Sequence, residues 1–486
     1  MHLTAVDCRA MIGIFLVLCH VIFCFAHYED FIYPSIVEER TSAGKLVLRL
    51  NDDITLNLER SSVLKKNLRF ITTSRSVHHS STIDTSSIQE NLYQDPQWQS
   101  SLKVLREHGT VQVEGIIDSK RRIKPLLQSK RSSQGQVLHS LYEVEEIRPS
   151  LMQGRSLQTA VSDLSNTFPP TARTSAPVKD FKVELHVVSD EYHQAHFGGR
   201  ISIIEYVAIT VAAVNMRFLD MKGPRISFKL VGVTRSHYDV FASQIVGVLD
   251  AWKTLEGLAN HTRDGHINGK FDVLYLMTGR DMASVRSTGY VDKDVAGLAY
   301  VGQVCTVYGV AEGEDIAMSY AGVHTMAHEL AHSLGATHDP EDSSNCSWSN
   351  GFLMSYQDKG ANKYRLSYCS QEKIRNVVKL LDLTCIEEVA IVKFSKNNNG
   401  TLPGQSITAK QYCKRKMQRK LRLKRITSVA YSAMSEKLAL KCKMKCCYKN
   451  GSETWCHETD ILEGMVCTDG KTCRRGICAD HTRAEK

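Results

Sequence analysis

The stretch His328-Glu329-Leu330-Ala331-His332-Ser333-Leu334-Gly335-Ala336-Thr337-His338-Asp339 decides how the rest of the chain is read. On a helix, His328 and His332 lie about one turn apart, so both rings project from one face. Paired imidazoles at this spacing, joined by a third, are what a zinc ion takes when it keeps one open position for water. The third, His338, cannot come from the same helix. The chain must turn sharply, and Gly335 is the residue able to take a positive φ there. Glu329, next to the first histidine, is placed to act as general base on a metal-bound water and to hand the proton to a leaving amine. The chemistry expected is amide hydrolysis without a covalent intermediate. Six specified positions in a twelve-residue frame would arise by chance on the order of once in a hundred thousand such chains, whereas a lone HExxH is weak.

The segments around this stretch predict alternating strands and helices. Phe181–Val188 alternates like a half-buried strand. A helix over Ile201–Met221 ends at Gly223-Pro224, and a strand over Ile226–Val233 follows. Then come a helix from Asp239 to about Leu258 and a buried strand over Phe271–Met277. A further strand, Gly297–Val301, leads through a loop to the metal-binding helix. This βαβαβ order indicates an α/β sandwich with a mixed, mainly parallel twisted sheet.

The motif, with Phe352-Leu353-Met354-Ser355-Tyr356 sixteen residues beyond His338, resembles the metzincins, and among them the adamalysin (reprolysin) family of zinc proteases. The resemblance implies a catalytic domain over 179–388 with one Zn²⁺ held by His328, His332 and His338, and Glu329 as the catalytic residue. It implies that Met354 lies beneath the ligands and that Asp339 and Gly335 support the site. Gly297-Leu298-Ala299-Tyr300-Val301 is similar to the edge strand along which a peptide substrate adds as a β-strand. It further implies bridges Cys305–Cys385 and Cys346–Cys369, and a structural Ca²⁺ at Glu184, Asp272 and the Cys385 carbonyl. The family's asparagine after Cys385 is not evident. His324 and His186 are read as a solvated first-turn residue and a packed or surface residue, not as ligands.

The chain has 486 residues, with 42% hydrophobic and 23% charged residues, so a multi-domain globular protein is expected rather than a disordered or membrane-transport one. Residues 1–26 read as a secretory signal, with Arg9 ahead of the apolar run Met11–Phe23 and cleavage after Ala26; a membrane anchor is the alternative. Three of fifteen cysteines leave with it, and the other twelve all lie at or beyond Cys305, an even set that suits an oxidising, extracellular setting. Asn260, Asn345, Asn399 and Asn450 are candidate glycosylation sites. Residues 27–178 read as a pro-segment and linker, with Lys120-Arg121-Arg122 and Lys130-Arg131 as candidate processing sites or exposed basic loops. The pro-segment has no cysteine to block a metal, so latency must arise another way, for instance by steric cover.

After a linker over 389–410, residues 411–486 hold eight cysteines and form a small disulfide-dependent module, whose pairing is open among 105 connectivities. It resembles the disintegrin-like or cysteine-rich module of thrombospondin-linked adamalysins, although no Arg-Gly-Asp triplet occurs. The run Lys414–Arg425 puts eight cations in twelve positions, either a solvated face or a patch for sulfated glycans or an acidic surface. Nucleic acid, a membrane anchor and obligate oligomerisation are not expected. A protease with one ancillary module resembles the secreted metalloproteases of arthropod saliva and venom, which implies extracellular or plasma protein substrates such as matrix or clotting proteins. The alternative is an adhesive or antagonist protein that acts through its cysteine-rich module.

Overall fold

The period-2 patterns of the middle of the chain become the strands of one seven-stranded sheet. The computed structural model describes residues 29–40, 45–75, 78–107, 109–129, 131–147, 178–285, 289–341, 345–357, 359–386, 403–405, 407–423, 431–462, 464–474 and 476–480. In chain order the strands are β1 (Leu64–Thr73), β2 (His78–Asp84), β3 (Asp180–Ser189), β4 (Arg225–Ser236), β5 (Val273–Thr278), β6 (Gly297–Ala299) and β7 (Val310–Glu314). In space they run β6-β7-β5-β3-β4-β1-β2. β1, β4, β3, β5 and β7 are mutually parallel, and β2 and β6 close the two edges antiparallel.

Alternation sorts the buried side chains to two faces. Val183, Leu185 and Val187 of β3, with Val273, Tyr275 and Met277 of β5, pack against helices α1 (Arg200–Arg217) and, later in the chain, α3 (Val323–Ser333). Val188, Leu274 and Leu276 face the other way, against Leu255 and Leu258 of α2 (Ala251–Arg263). Helix α4 (Tyr368–Leu380) then caps the first face with Ile374 and Val378.

Residues ahead of position 148 form a nine-stranded, all-antiparallel sheet whose core is Leu46, Leu48, Leu56, Leu58, Leu102, Val104, Val113, Ile123 and Leu141. The segment also donates β1 and β2 to the central sheet. In the run Lys120–Arg122, Lys120 is exposed at a bend, but the two arginines are not part of a free loop. Arg121 and Arg122 begin a strand over Arg121–Pro125, and the Arg122 side chain is fully buried. Arg131 is exposed; Lys130, like the signal over 1–26, Asn399 and most of the two linkers, falls outside the described residues.

Two further expectations change. The helix placed over Asp239–Leu258 begins only at Ala251, because Gly247, at φ +82°, turns a short hairpin and the Asp250 carboxylate accepts from the Lys253 amide to cap the helix. A strand that the pattern hid, β7, lies between β6 and α3; Glu312 at its centre breaks the apolar signature yet is completely buried.

The last eight cysteines pair as Cys413–Cys446, Cys442–Cys473, Cys447–Cys456 and Cys467–Cys478. They staple two three-stranded sheets to helix α5 (Ala409–Leu423), which carries the first ten residues of the basic run. Among the described residues, no helix is long and apolar enough to cross a membrane.

Candidate active site

Helix α3 is buried along its whole length, including His328, Glu329 and His332. It ends in a tight turn in which the Gly335 amide donates to His332 O and the Ala336 amide to Ala331 O. Gly335 sits at φ +106°, and the Val377 side chain occupies the space where a β-carbon would go. Both the backbone angle and the packing demand glycine there. The turn sends Ala336–Asp339 back alongside the helix and brings His338 to the other two rings.

The three imidazoles converge. His338 Nε2 lies 3.0 Å from His328 Nε2 and 3.2 Å from His332 Nε2. Each opposite nitrogen has its own hydrogen-bond partner. His328 Nδ1 donates to Leu353 O at 2.9 Å, and His332 Nδ1 to Ala336 O at 2.7 Å. His338 Nδ1 lies 2.7 Å from the Tyr356 hydroxyl. A carbonyl can only accept, so the first two rings carry their proton on Nδ1 and turn a bare Nε2 lone pair inward. Burial keeps them neutral. It lowers the His328 pKa to about 4, burial with the neighbouring His328 ring lowers that of His338 to about 3, and burial with the His338 and His328 rings holds that of His332 well below the usual imidazole value. Three uncharged nitrogens aimed at one point are the donor set zinc requires, and the residues present fit that ion.

Glu329 is 2% exposed, and burial pushes its carboxyl pKa well up. β6 crosses directly over it: a β-carbon on Gly297 would come within 2.8 Å of Glu329 Oε1 and 2.7 Å of Thr325 Cγ2. The glycine thus lets the edge strand approach the carboxylate. Leu298 and Ala299 pair with β7, while among the described residues the outer side of β6 has no strand partner in that sheet. Tyr300 and Val301 follow immediately, Tyr300 packed edge-on against Trp252.

Supports surround the three histidines. Met354 is fully buried in the core that contains α3, and its carbonyl accepts from the Asp339 amide. Asp339 Oδ1 accepts from Ser367 Oγ at 2.5 Å and from Ser370 Oγ at 3.2 Å, tying the strut to the start of α4. The bonds Cys305–Cys385 and Cys346–Cys369 are both formed. Glu184 and Asp272 lie together, the Glu184 amide donating to Asp272 Oδ2 at 2.7 Å, and burial raises the Asp272 pKa to about 7. His324 is buried rather than solvated, its ring centroid 6.5 Å from that of His328; the flanking apolar residues of the helix draw its whole first turn inside. His186 is packed, bonded to Thr234.

Sequence reasoning missed two features. Tyr356 holds His338, and its position two residues past Met354 was the available signal. The loop 315–322 is fixed by Asp315, whose Oδ2 accepts from Tyr206 OH at 2.5 Å and meets His193 Nε2 at 3.0 Å while Oδ1 accepts from the Gly322 amide. Those partners are spread along the chain, and nothing local marks them.

Residues 179–377 match the family model described as metallo-peptidase family M12, Reprolysin_5. The chain is 27% identical over 386 residues to the venom metalloproteinase BumaMPs1 of Olivierus martensii, covering 76% of this chain and 95% of that one. It is 26% identical to the antarease-like venom metalloproteinase TtrivMP_A of Tityus trivittatus, covering 63% and 82%. A Bombyx mori protein named as a disintegrin and metalloproteinase with thrombospondin motifs like is 26% identical, over 63% of this chain and 45% of that one.

Proposed function

From a chain that is a metallopeptidase of the reprolysin type, family M12, over residues 179–377, we propose a secreted zinc endopeptidase that cuts extracellular or plasma proteins, with His328, His332 and His338 as metal ligands and Glu329 as general base. The observation that carries this is the convergence of three neutral Nε2 atoms, each ring anchored at Nδ1, beside a buried carboxylate. Zinc bound there supplies a Lewis acid that polarises the scissile carbonyl and makes water a better nucleophile. The peptide adds as a β-strand along Gly297–Val301, hydrogen-bonded to the open edge of β6. Glu329 takes the proton of the attacking water and returns it to the departing amine nitrogen. Its low-dielectric surroundings strengthen both transfers.

The relatives' names as venom metalloproteinases support export and a host-protein target; the adhesive alternative draws no such support. The proposed layout is a signal over 1–26, a pro-segment ahead of residue 179, the catalytic domain, and the cysteine-rich module over 411–486, in a monomer. Glu184, Asp272 and the Cys385 carbonyl form the proposed Ca²⁺ cradle, in keeping with the buried, unpartnered Glu184 Oε1. The basic helix α5 is the proposed contact for sulfated glycans. Asn260, Asn345 and Asn450 remain the proposed glycan acceptors.

The test is Glu329→Ala in the full chain. Cleavage of a protein substrate should fall by at least about a thousandfold while zinc stays bound. Undiminished proteolysis would overturn the mechanism.

A further inference from the structure

Helix α1 is apolar on nearly every side beyond its first turn. Ile203, Ile204, Tyr206, Val207, Ala208, Ile209, Val211, Ala212, Ala213, Val214 and Met216 are all buried, so every side of it is covered. A helix apolar all round needs neighbours all round. The central sheet and α3 cover part of it. The remainder is covered by the N-terminal segment: Ser101 Oγ donates to Ile209 O at 2.7 Å, Lys103 Nζ pairs with Glu205 at 2.6 Å, and Gly115 passes close against Ile209. Ile88, Leu92 and Ile116 belong to the same continuous core as Val207 and Leu330.

The central sheet depends on the same segment. β1 lies parallel to β4, with Gly232–Ser236 opposite Arg69–Thr73. Without it, β4 would be a long, apolar, unpaired edge.

A third set of contacts reaches the approach to the zinc helix. The buried Arg122 guanidinium donates to Ser319 O at 3.0 Å and Tyr320 O at 3.3 Å, as well as to Asp118 O at 2.6 Å. Ser319 and Tyr320 lie in the loop that Asp315 fixes from inside, where Met318 and Tyr320 have positive φ. Ile147 donates to Ala321 O at 2.9 Å and accepts from Thr325 Oγ1 at 2.9 Å, one turn before Glu329. Glu146 pairs with Arg217 at 3.2 Å, both side chains 3% exposed.

We propose that the pro-segment, residues 29–147, stays on as a subunit of the catalytic domain after processing: cleavage of the chain between 147 and 178 leaves it bound, non-covalently, as part of the domain's core, its sheet and the mount of its zinc helix. Covering a cleft alone would not require the shared strand ladder and the shared hydrophobic core seen here. The buried Arg122 accounts for the fate of the dibasic run as well. A processing protease needs that stretch extended and accessible, and here its last arginine is a buried fastener.

The experiment uses the full chain carrying Glu329→Ala to prevent self-digestion, with a recognition site for a sequence-specific protease inserted between residues 160 and 161. After cutting, the two fragments should co-elute in size-exclusion chromatography at micromolar concentration and separate only in denaturant. Arg122→Met, which keeps the volume but loses the carbonyl contacts, should lower the urea midpoint for separation by about 1 M. Thr325→Val, a milder change, should lower it less. Should the N-terminal fragment elute alone while the remainder still binds zinc and unfolds cooperatively, the proposal fails.

Discussion

Removing one hydroxyl, by Tyr356→Phe, should loosen zinc without disturbing the fold. His338 arrives on a strut rather than on the helix, and its Nδ1 is the one ring nitrogen of the three whose acceptor is a side chain. When Nδ1–H donates to the Tyr356 oxygen, the tautomer with a bare Nε2 is favoured, and the ring plane is held. Phenylalanine keeps the ring contact, whose centroids are 4.7 Å apart, and removes only the bond. A single hydrogen bond contributes about 1 kcal/mol net, and about 1.4 kcal/mol corresponds to a factor of ten. Partners of metal-bound histidines generally change affinity by about 10–100-fold. Because Tyr356 is only partly buried, water can substitute in the variant, which argues for the lower end. Zinc affinity should fall about tenfold, read by competition with a chromophoric chelator, while the melting temperature of the metal-free protein stays within a degree or two. An affinity within twofold of the parent would refute the idea that this hydroxyl sets the ligand's tautomer.

Gly297→Ala should cut turnover by about 10–100-fold with zinc content unchanged, since the added carbon would displace Glu329 rather than a ligand. Gly335→Ala should do the reverse kind of damage: φ +106° and the Val377 side chain both oppose it, so stability should drop by about 2–4 kcal/mol in thermal unfolding and zinc should be lost with it. Acid should unfold the protein through His139 and His186, whose folded pKa values burial lowers to about 4 and about 3. The unfolded chain then binds more protons below pH 6.5, so stability is full above that pH and is lost as pH falls towards 4; the loss at pH 5 is about 2 kcal/mol for each histidine. Melting curves from pH 7 to 5 should show it, and His139→Gln should flatten the slope. Glu312→Gln should raise the melting temperature at pH 8: burial, then Glu329 and Asp250, hold the acid neutral, and its contribution is lost as pH rises above its unfolded value.

The segment from His328 to Asp339 was legible because its pattern is local. Three histidines, one glycine and one glutamate occupy twelve positions, and helix geometry fixes most of their relations. β3 and β5 were legible for a similar reason, since alternation on a two-faced sheet leaves a period of two. β7 was not, because Glu312, Gly313 and Glu314 stand where the pattern calls for aliphatics. The N-terminal segment reads as a pro-segment because it holds no cysteine and is rich in Ser, Thr, Gln and basic residues, a composition that carries no sign of its pairing with the central sheet. Its function in the fold rests on strand pairing between residues about 160 positions apart, and no local pattern encodes that register.

Where the site's precision comes from follows from the same distances. His328 and His332 are fixed by backbone carbonyls, which mutation of those positions cannot remove, so their orientation depends on the helix end and the turn below it. His338 and Glu329 instead depend on side chains and close approaches drawn from elsewhere: Tyr356, Asp339 with Ser367 and Ser370, and Gly297. The first pair should therefore tolerate substitution around them as long as α3 stays in place. The second pair should not, and variants that retain zinc but lose turnover should cluster at Gly297 and at the loop that Arg122 and Asp315 grip from opposite sides.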